Sequence, residues 1–236
     1  MTDQPLHGRL ALVTGASRGI GAATARALAA AGAHVILTAR TPGGLEEVEE
    51  AIHAAGGQAT IAPLNLADGD AVVRLAQAIG RRWEALDILV LNAAMLGSLG
   101  PVSAFDPKEL AKTLTLNISA QAALIGSFDA MLRKAPAARV LGVTSSVARR
   151  PRAYWGMYGA SKAAFENLLA SYGEEVSGIS PVRTAILDPG ATRTKMRARA
   201  YPGEDPASVK PPETVAERIV ALLAEDFADG HFERVG

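Results

Sequence analysis

Residues Thr14–Gly21 read "TGASRGIG", and what flanks them decides the fold. Before them "RLALVT" (9–14) is an apolar run of strand composition; after them "IGAATARALAAAG" (20–32) is an Ala-rich helical run. Strand, glycine turn and helix in direct succession are the parts of a dinucleotide site. Gly15 permits a tight turn, Gly19 lets a pyrophosphate approach the backbone, and Gly21 permits close helix–strand packing. The helix start then offers free N–H groups and a positive dipole end to phosphate. Glycines alone would serve equally well as a packing turn; the strand that follows the helix tips the balance toward phosphate. The spacing T-G-x-x-x-G-x-G differs from the plain G-x-G-x-x-G form.

The same alternation continues along the chain. Strands are expected at 9–14, 34–39, 58–63, 86–92, 138–145, 182–188 and 231–235. Helices are expected near 19–31, 44–55, 69–82, 107–134, 158–177 and 213–225. The central strands are apolar throughout, as parallel strands covered on both faces are. The pattern predicts an α/β fold: a Rossmann-like, doubly wound parallel sheet of about seven strands flanked by helices on both faces. Nothing reads as a linker, so residues 1–236 are expected to form a single catalytic domain. The Pro/Gly-rich stretch 195–212 is the longest irregular piece, and a substrate loop is expected near 192–212.

The second strand ends "LTAR", where a NAD site commonly carries an acidic residue for the ribose 2′-OH. Ala39 and Arg40 stand there, and no carboxylate follows until Glu46. Arg40 and Arg18 suit a 2′-phosphate through charge-assisted hydrogen bonds, which predicts NADP(H) in preference to NAD(H). The plainer reading is two solvated arginines.

From "YWGMYGASKAAFENLL" (154–169) into the residues that follow it, apolar residues at Phe165, Leu168, Leu169 and Tyr172 mark the inward stripe of a helix. Extended backwards, that stripe passes about 20° from both Tyr158 and Lys162. A core tyrosine is ordinary, but a core lysine needs a partner. Tyr158 beside a cation is expected to have its pKa lowered and to exchange a proton with a carbonyl or alcohol oxygen. Ser145 closes the strand "ARVLGVTS" (138–145), where sheet sites form, and its hydroxyl suits the reacting oxygen; spacing alone leaves Ser146 open. Tyr154 and Trp155 are candidate pocket walls or subunit contacts.

Together, "TGASRGIG", "NAA" (92–94), a serine thirteen residues before "YGASK", and "DPG" (188–190) resemble the short-chain dehydrogenase/reductase family over nearly the whole chain. The resemblance implies nicotinamide-dependent oxidoreduction of a small carbonyl or alcohol and a homodimer or homotetramer. It implies Tyr158 as acid/base, Lys162 as ribose ligand and pKa-lowering cation, Ser145 as the polarising serine, and Asn117 as the anchor of a relay water. It further implies cofactor contacts at Gly15, Ser17, Arg18, Gly19, Ile20, Gly21, Arg40, Asn65, Leu66, Asn92, Ala93, Pro189, Gly190, Thr192 and Thr194, besides Tyr158 and Lys162. Ala94, Asn65 and Asp188 depart from the family's usual Gly, Asp and Asn. The stretches 145–158 and 189–206 are most similar to a YciK-like subgroup of bacterial oxidoreductases.

Composition narrows the alternatives. Lys plus Arg and Asp plus Glu each total 24, so charge gives no reason to expect nucleic acid or an anionic membrane. There are no cysteines, and the four histidines are scattered, so no metal site is expected. The start lacks the pattern of a signal peptide and no apolar run reaches membrane-spanning length, which predicts a cytoplasmic protein. Arg149, Arg150 and Arg152, and Lys195, Arg197 and Arg199, flank the expected site. Solvated or interfacial charges are the favoured reading of both clusters, an anionic substrate the other. A catalytically silent cofactor-sensing protein is the competing function, and it would not need Tyr158 and Lys162. An epimerase with a large substrate domain does not fit 236 residues.

Overall fold

Short apolar strands alternating with helices bury both faces only as a parallel sheet between two helix layers. The protein, described from a computed structural model over residues 4–236, has this arrangement. The strands are β1 (Leu10–Thr14), β2 (His34–Thr38), β3 (Gln58–Ile61), β4 (Ile88–Leu91), β5 (Arg139–Val143), β6 (Arg183–Asp188) and β7 (His231–Arg234). All pair in parallel, in the order β3-β2-β1-β4-β5-β6-β7. The order reverses between β1 and β4, and the crevice beyond the carboxyl ends there is where such sheets bind ligands.

The helices are α1 (Gly19–Ala30), α2 (Pro42–Ala54), α3 (Gly69–Gly80), α4 (Pro107–Leu114), α5 (Ala120–Lys134), α6 (Gly156–Val176), α7 (Lys195–Ala200) and α8 (Pro212–Ala224). Side chains alternate across β1: Ala11 and Val13 join Leu28, Leu45 and Leu222 of α1, α2 and α8, whereas Leu10 and Leu12 join Val72, Phe128 and Phe165 of α3, α5 and α6. No described helix is long and apolar enough to cross a membrane.

Three expectations need correction. α2 starts at Pro42, two residues early, because proline's fixed φ and missing N–H are tolerated in a first turn. The single helix expected over 107–134 is interrupted by a π-helical turn at Thr115–Ser119. There the Gln121 amide donates to the Leu116 carbonyl at 2.9 Å, taking up a main-chain acceptor that the shifted ladder releases. Finally, 195–212 is not irregular throughout: α7 forms at its start, capped by the Thr194 side chain, which accepts from the Arg197 N–H.

One close approach fixes α6 relative to the sheet. A Cβ on Gly142 of β5 would lie 2.5 Å from Leu169 Cδ2 and 2.7 Å from Phe165 Cζ, both in the core. Gly142→Ala is therefore expected to destabilise the protein by about 1–3 kcal/mol through overpacking. A urea midpoint equal to wild type would show that α6 backs away without cost.

Candidate active site

The chain leaves β1 through Gly15 (φ +66°) and Gly19 (φ +58°), both in the left-handed region that glycine tolerates. A Cβ at Gly21 would run into the Gly15 carbonyl oxygen, so the third glycine sets the closeness of α1 to the turn. Asn92, just past β4, braces this turn: its Nδ2 donates to the Thr14 carbonyl at 2.8 Å. The N–H groups of Asn92 and Ala93 both donate to Thr14 Oγ1, at 2.9 and 3.0 Å. Arg18 stands at the cap of α1 without a side-chain cap bond, and the first turn holds no acidic residue. The opening N–H groups of α1 therefore face the crevice without a capping side chain, which suits a phosphate-bearing ligand.

The remaining candidates for a nucleotide follow the carboxyl ends of β1, β2, β3 and β6. Ser17 and Ile20 are half-buried within it, while Arg18 and Arg40 are exposed, Arg40 following the buried Ala39 at the end of β2. After β3, Asn65 turns its side-chain oxygen to the Ala67 N–H at 3.3 Å, and Leu66 is buried in the core. After β6, Pro189 leads to Gly190 (φ +63°), and Thr192 is buried with its hydroxyl donating to the Pro189 carbonyl at 3.0 Å. Thr194 then returns over the glycine turn, its Cγ2 lying 3.3 Å from where a Gly19 Cβ would be. Thr194 and Asn92, far from the glycine turn in sequence, thus meet it in space, and its glycines and bare helix start fit a dinucleotide phosphate.

On α6, Tyr158 and Lys162 are both buried, 7% and 3% exposed, as the stripe predicts. The Lys162 ammonium donates to the Val143 carbonyl at 2.7 Å and lies 6.0 Å from the Tyr158 ring centroid. Burial pushes the Lys162 pKa down to about 8, opposed by the charge of Glu166. The expected lowering of the Tyr158 pKa is not what this structure gives. Burial pushes it above the usual range, and the Asp188 carboxylate pushes the same way. Among the described residues the Tyr158 hydroxyl has no hydrogen-bond partner.

β5 ends at Val143 rather than 145, and Ser145, two residues on, heads a short 3₁₀ turn, Ser146–Ala148. Asn117 lies within the π-helical turn, and its side chain is tied down there: Oδ1 accepts from the Met95 N–H, and Nδ2 donates to the Met95 carbonyl and to Ser161 Oγ. Both amide hydrogens are thus committed, and one lone pair of Oδ1 is the side chain's remaining capacity.

Leu96, Val147, Trp155, Met196 and Ala200 form an apolar wall with Tyr158. Trp155 packs against both Tyr158 and Tyr201, with ring centroids at 6.2 and 5.6 Å. Tyr154 instead points outward, 63% exposed and at φ +71°. The basic clusters are largely engaged within the protein. Arg149 pairs with Glu166, Arg152 donates to the Tyr201 hydroxyl, Arg197 pairs with Glu204, and Arg199 donates to the Gly97 carbonyl. Glu166 escaped the sequence reading although it lies four residues after Lys162, on the stripe already traced.

Comparison with known proteins agrees with this architecture. The sequence model of short chain dehydrogenases matches residues 9–205. The uncharacterized oxidoreductase YciK of Escherichia coli K12 is 35% identical over 224 residues, spanning 94% of this chain and 88% of its own. The 2,3-dihydro-2,3-dihydroxybenzoate dehydrogenase of Bacillus subtilis is 30% identical over 230 residues, 98% and 84% of the two chains. A solved short chain dehydrogenase from Escherichia coli CFT073, complexed with NADPH, is similar with a TM-score of 0.94 at 33% identity over 99% of each chain. Similarity of this extent, on a sheet of this order, means that the chain belongs to the short-chain dehydrogenase/reductase family and is an NAD(P)-dependent oxidoreductase.

Proposed function

We propose that residues 1–236 act as one catalytic domain that reduces neutral, apolar carbonyl compounds, or oxidises the corresponding secondary alcohols, using NADP(H) in preference to NAD(H). The observation that carries this reading is the Tyr158–Lys162 pair, buried on one face of α6, with the lysine bonded to the Val143 carbonyl two residues before Ser145. The nicotinamide supplies or accepts the hydride. Tyr158 passes a proton between its phenol and the substrate oxygen, and its unpartnered hydroxyl suits that task. Ser145 donates a hydrogen bond to the same oxygen as charge builds on it. Lys162 holds a ribose and offsets negative charge on the phenol. Thr194, poised over Gly19, holds the carboxamide end. The exposed arginines Arg18 and Arg40 grip the 2′-phosphate, and the solved relative that carries NADPH favours the same cofactor here.

The substrate side is read from the wall around Tyr158. Its side chains are apolar, and four of the nearby arginines are engaged within the protein. An anionic group on the substrate would therefore lose water without gaining a strong partner.

With NADPH and a panel of ketones, kcat/KM is expected to favour neutral compounds over carboxylated ones, and Tyr158→Phe to lower kcat about 100- to 10,000-fold. Undiminished turnover by Tyr158→Phe would remove the tyrosine from the mechanism. Arg18→Ala and Arg40→Ala are each expected to weaken NADPH binding about tenfold, at roughly 1.5 kcal/mol per charged hydrogen bond, and to leave NADH binding nearly unchanged. Equal losses for both cofactors in titration calorimetry would contradict the assignment.

The charge on Lys162 gives a stability test. With its pKa at about 8 in the folded protein against 10.5 for an ordinary lysine, the unfolded chain holds more protons between those values. Stability from this group must therefore rise with pH across that window. Lys210, also lowered, adds in the same direction, so the informative quantity is the difference between wild type and Lys162→Met. Denaturant midpoints from pH 7 to 10 are expected to rise less steeply in the variant; parallel curves would place the lysine in water.

A further inference from the structure

Glu166 is a buried carboxylate, its side chain 11% exposed, on the helix face that carries Tyr158 and Lys162. Residues 158, 162 and 166 follow one another at single-turn steps. A carboxylate in that position is costly unless paired, and both of its oxygens are used. Thr144 Oγ1 donates to Oε1 at 2.6 Å, and Arg149 Nε donates to Oε2 at 2.7 Å. Thr144 and Arg149 bracket the turn that Ser145 heads, and within it the Ala148 N–H donates to the Ser145 carbonyl at 2.9 Å. On its other side the Arg149 guanidinium covers the Phe232 ring of β7, with Cζ 3.4 Å from the ring centroid. That contact limits the conformations Arg149 can take.

We infer that Glu166 is a positioning residue for Ser145, its carboxylate clasping both ends of the turn that carries the serine. This rests on the oxidoreductase reading given above. Thr144 and Arg149 are five residues apart, and neither has to meet α6 for the sheet to form. Joining both to one carboxylate removes the freedom of the intervening turn to drift from Tyr158. A hydroxyl that must meet the same substrate oxygen as the phenol depends on that constraint, because small misplacements at a reacting centre are expensive. The role is exerted through Ser145, and Glu166 itself needs no contact with substrate.

Two measurements test it on the purified protein with NADPH. In hydrogen–deuterium exchange, Glu166→Gln and Arg149→Ala are each expected to speed exchange across 145–150 tenfold or more, with the strands and the rest of α6 exchanging as in wild type. Arg149→Ala alters the half-exposed side of the pair and serves if the buried substitution does not fold. Unchanged exchange across 145–150 overturns the clasp. In steady-state reduction of ethyl benzoylformate, Glu166→Gln is expected to lower kcat about tenfold while the Kd for NADPH stays within twofold. In a Ser145→Ala background the same change is expected to lower kcat less than twofold, since it acts through the missing hydroxyl. A tenfold loss in both backgrounds assigns Glu166 a role independent of Ser145 and overturns the inference. Full activity of Ser145→Ala alone would instead overturn the reading of the site.

Discussion

The rest of the site depends on one hydrogen bond, from the buried Lys162 ammonium to the Val143 carbonyl. An ammonium in a protein interior carries a penalty of several kcal/mol unless it is paired or hydrogen-bonded, so the partner has to be in place. That partner is available because β4 stops early. Leu91 is opposite Gly142, and continuing this parallel register would bring the Ala93 N–H to the Val143 carbonyl. Ala93 donates to Thr14 Oγ1 instead. The departure that braces the glycine turn is thus the same one that leaves an acceptor for Lys162. The cofactor crevice and the Tyr–Lys pair are coupled through where a single strand ends.

Charge around this centre is handled by pairing. Glu166 takes Arg149, Glu204 takes Arg197, and Glu233 takes Arg218, each arginine being at least partly exposed. Each pairing leaves the arginine's charge already answered within the protein. Arg18 and Arg40, by contrast, are exposed. Positive charge is thus available by the glycine turn and past the end of β2, whereas the side chains packed around Tyr158 are apolar.

What the sequence disclosed follows the range of the interactions. The glycine turn, the strand–helix alternation and the stripe through Tyr158 and Lys162 all depend on residues within a few turns of one another, and periodicity reveals them. The π-helical turn at Thr115–Ser119 leaves the apolar pattern of 107–134 largely intact and was invisible. The two basic clusters looked alike as strings of arginine. Their acceptors lie 49 residues away for Arg152 and 102 for Arg199, so no local pattern separates a free cation from a tied one. The raised pKa of Tyr158 was missed for a related reason: it comes from burial and from Asp188, thirty residues on, while the sequence reading weighed only the neighbouring lysine.

A helix presents its inward positions about 6 Å apart, one turn at a time, and the segment leaving β5 meets α6 at three of them. At Gly159 there is no side chain, and a Cβ there would lie 3.0 Å from the Val147 carbonyl. At Lys162 a long side chain reaches the Val143 carbonyl, and at Glu166 a shorter one meets Thr144 and Arg149. Each step along α6 thus carries a side chain matched to the gap it must span: none, then a four-carbon amine, then a carboxylate with two acceptors. Ser145 lies between these contacts, on a backbone held on both sides, so little beyond rotation of its own side chain is left to it. Exchanging lysine for arginine at 162 would keep the charge and alter the length and donor geometry that the Val143 carbonyl now meets. The precision of the site comes from reach as much as from charge.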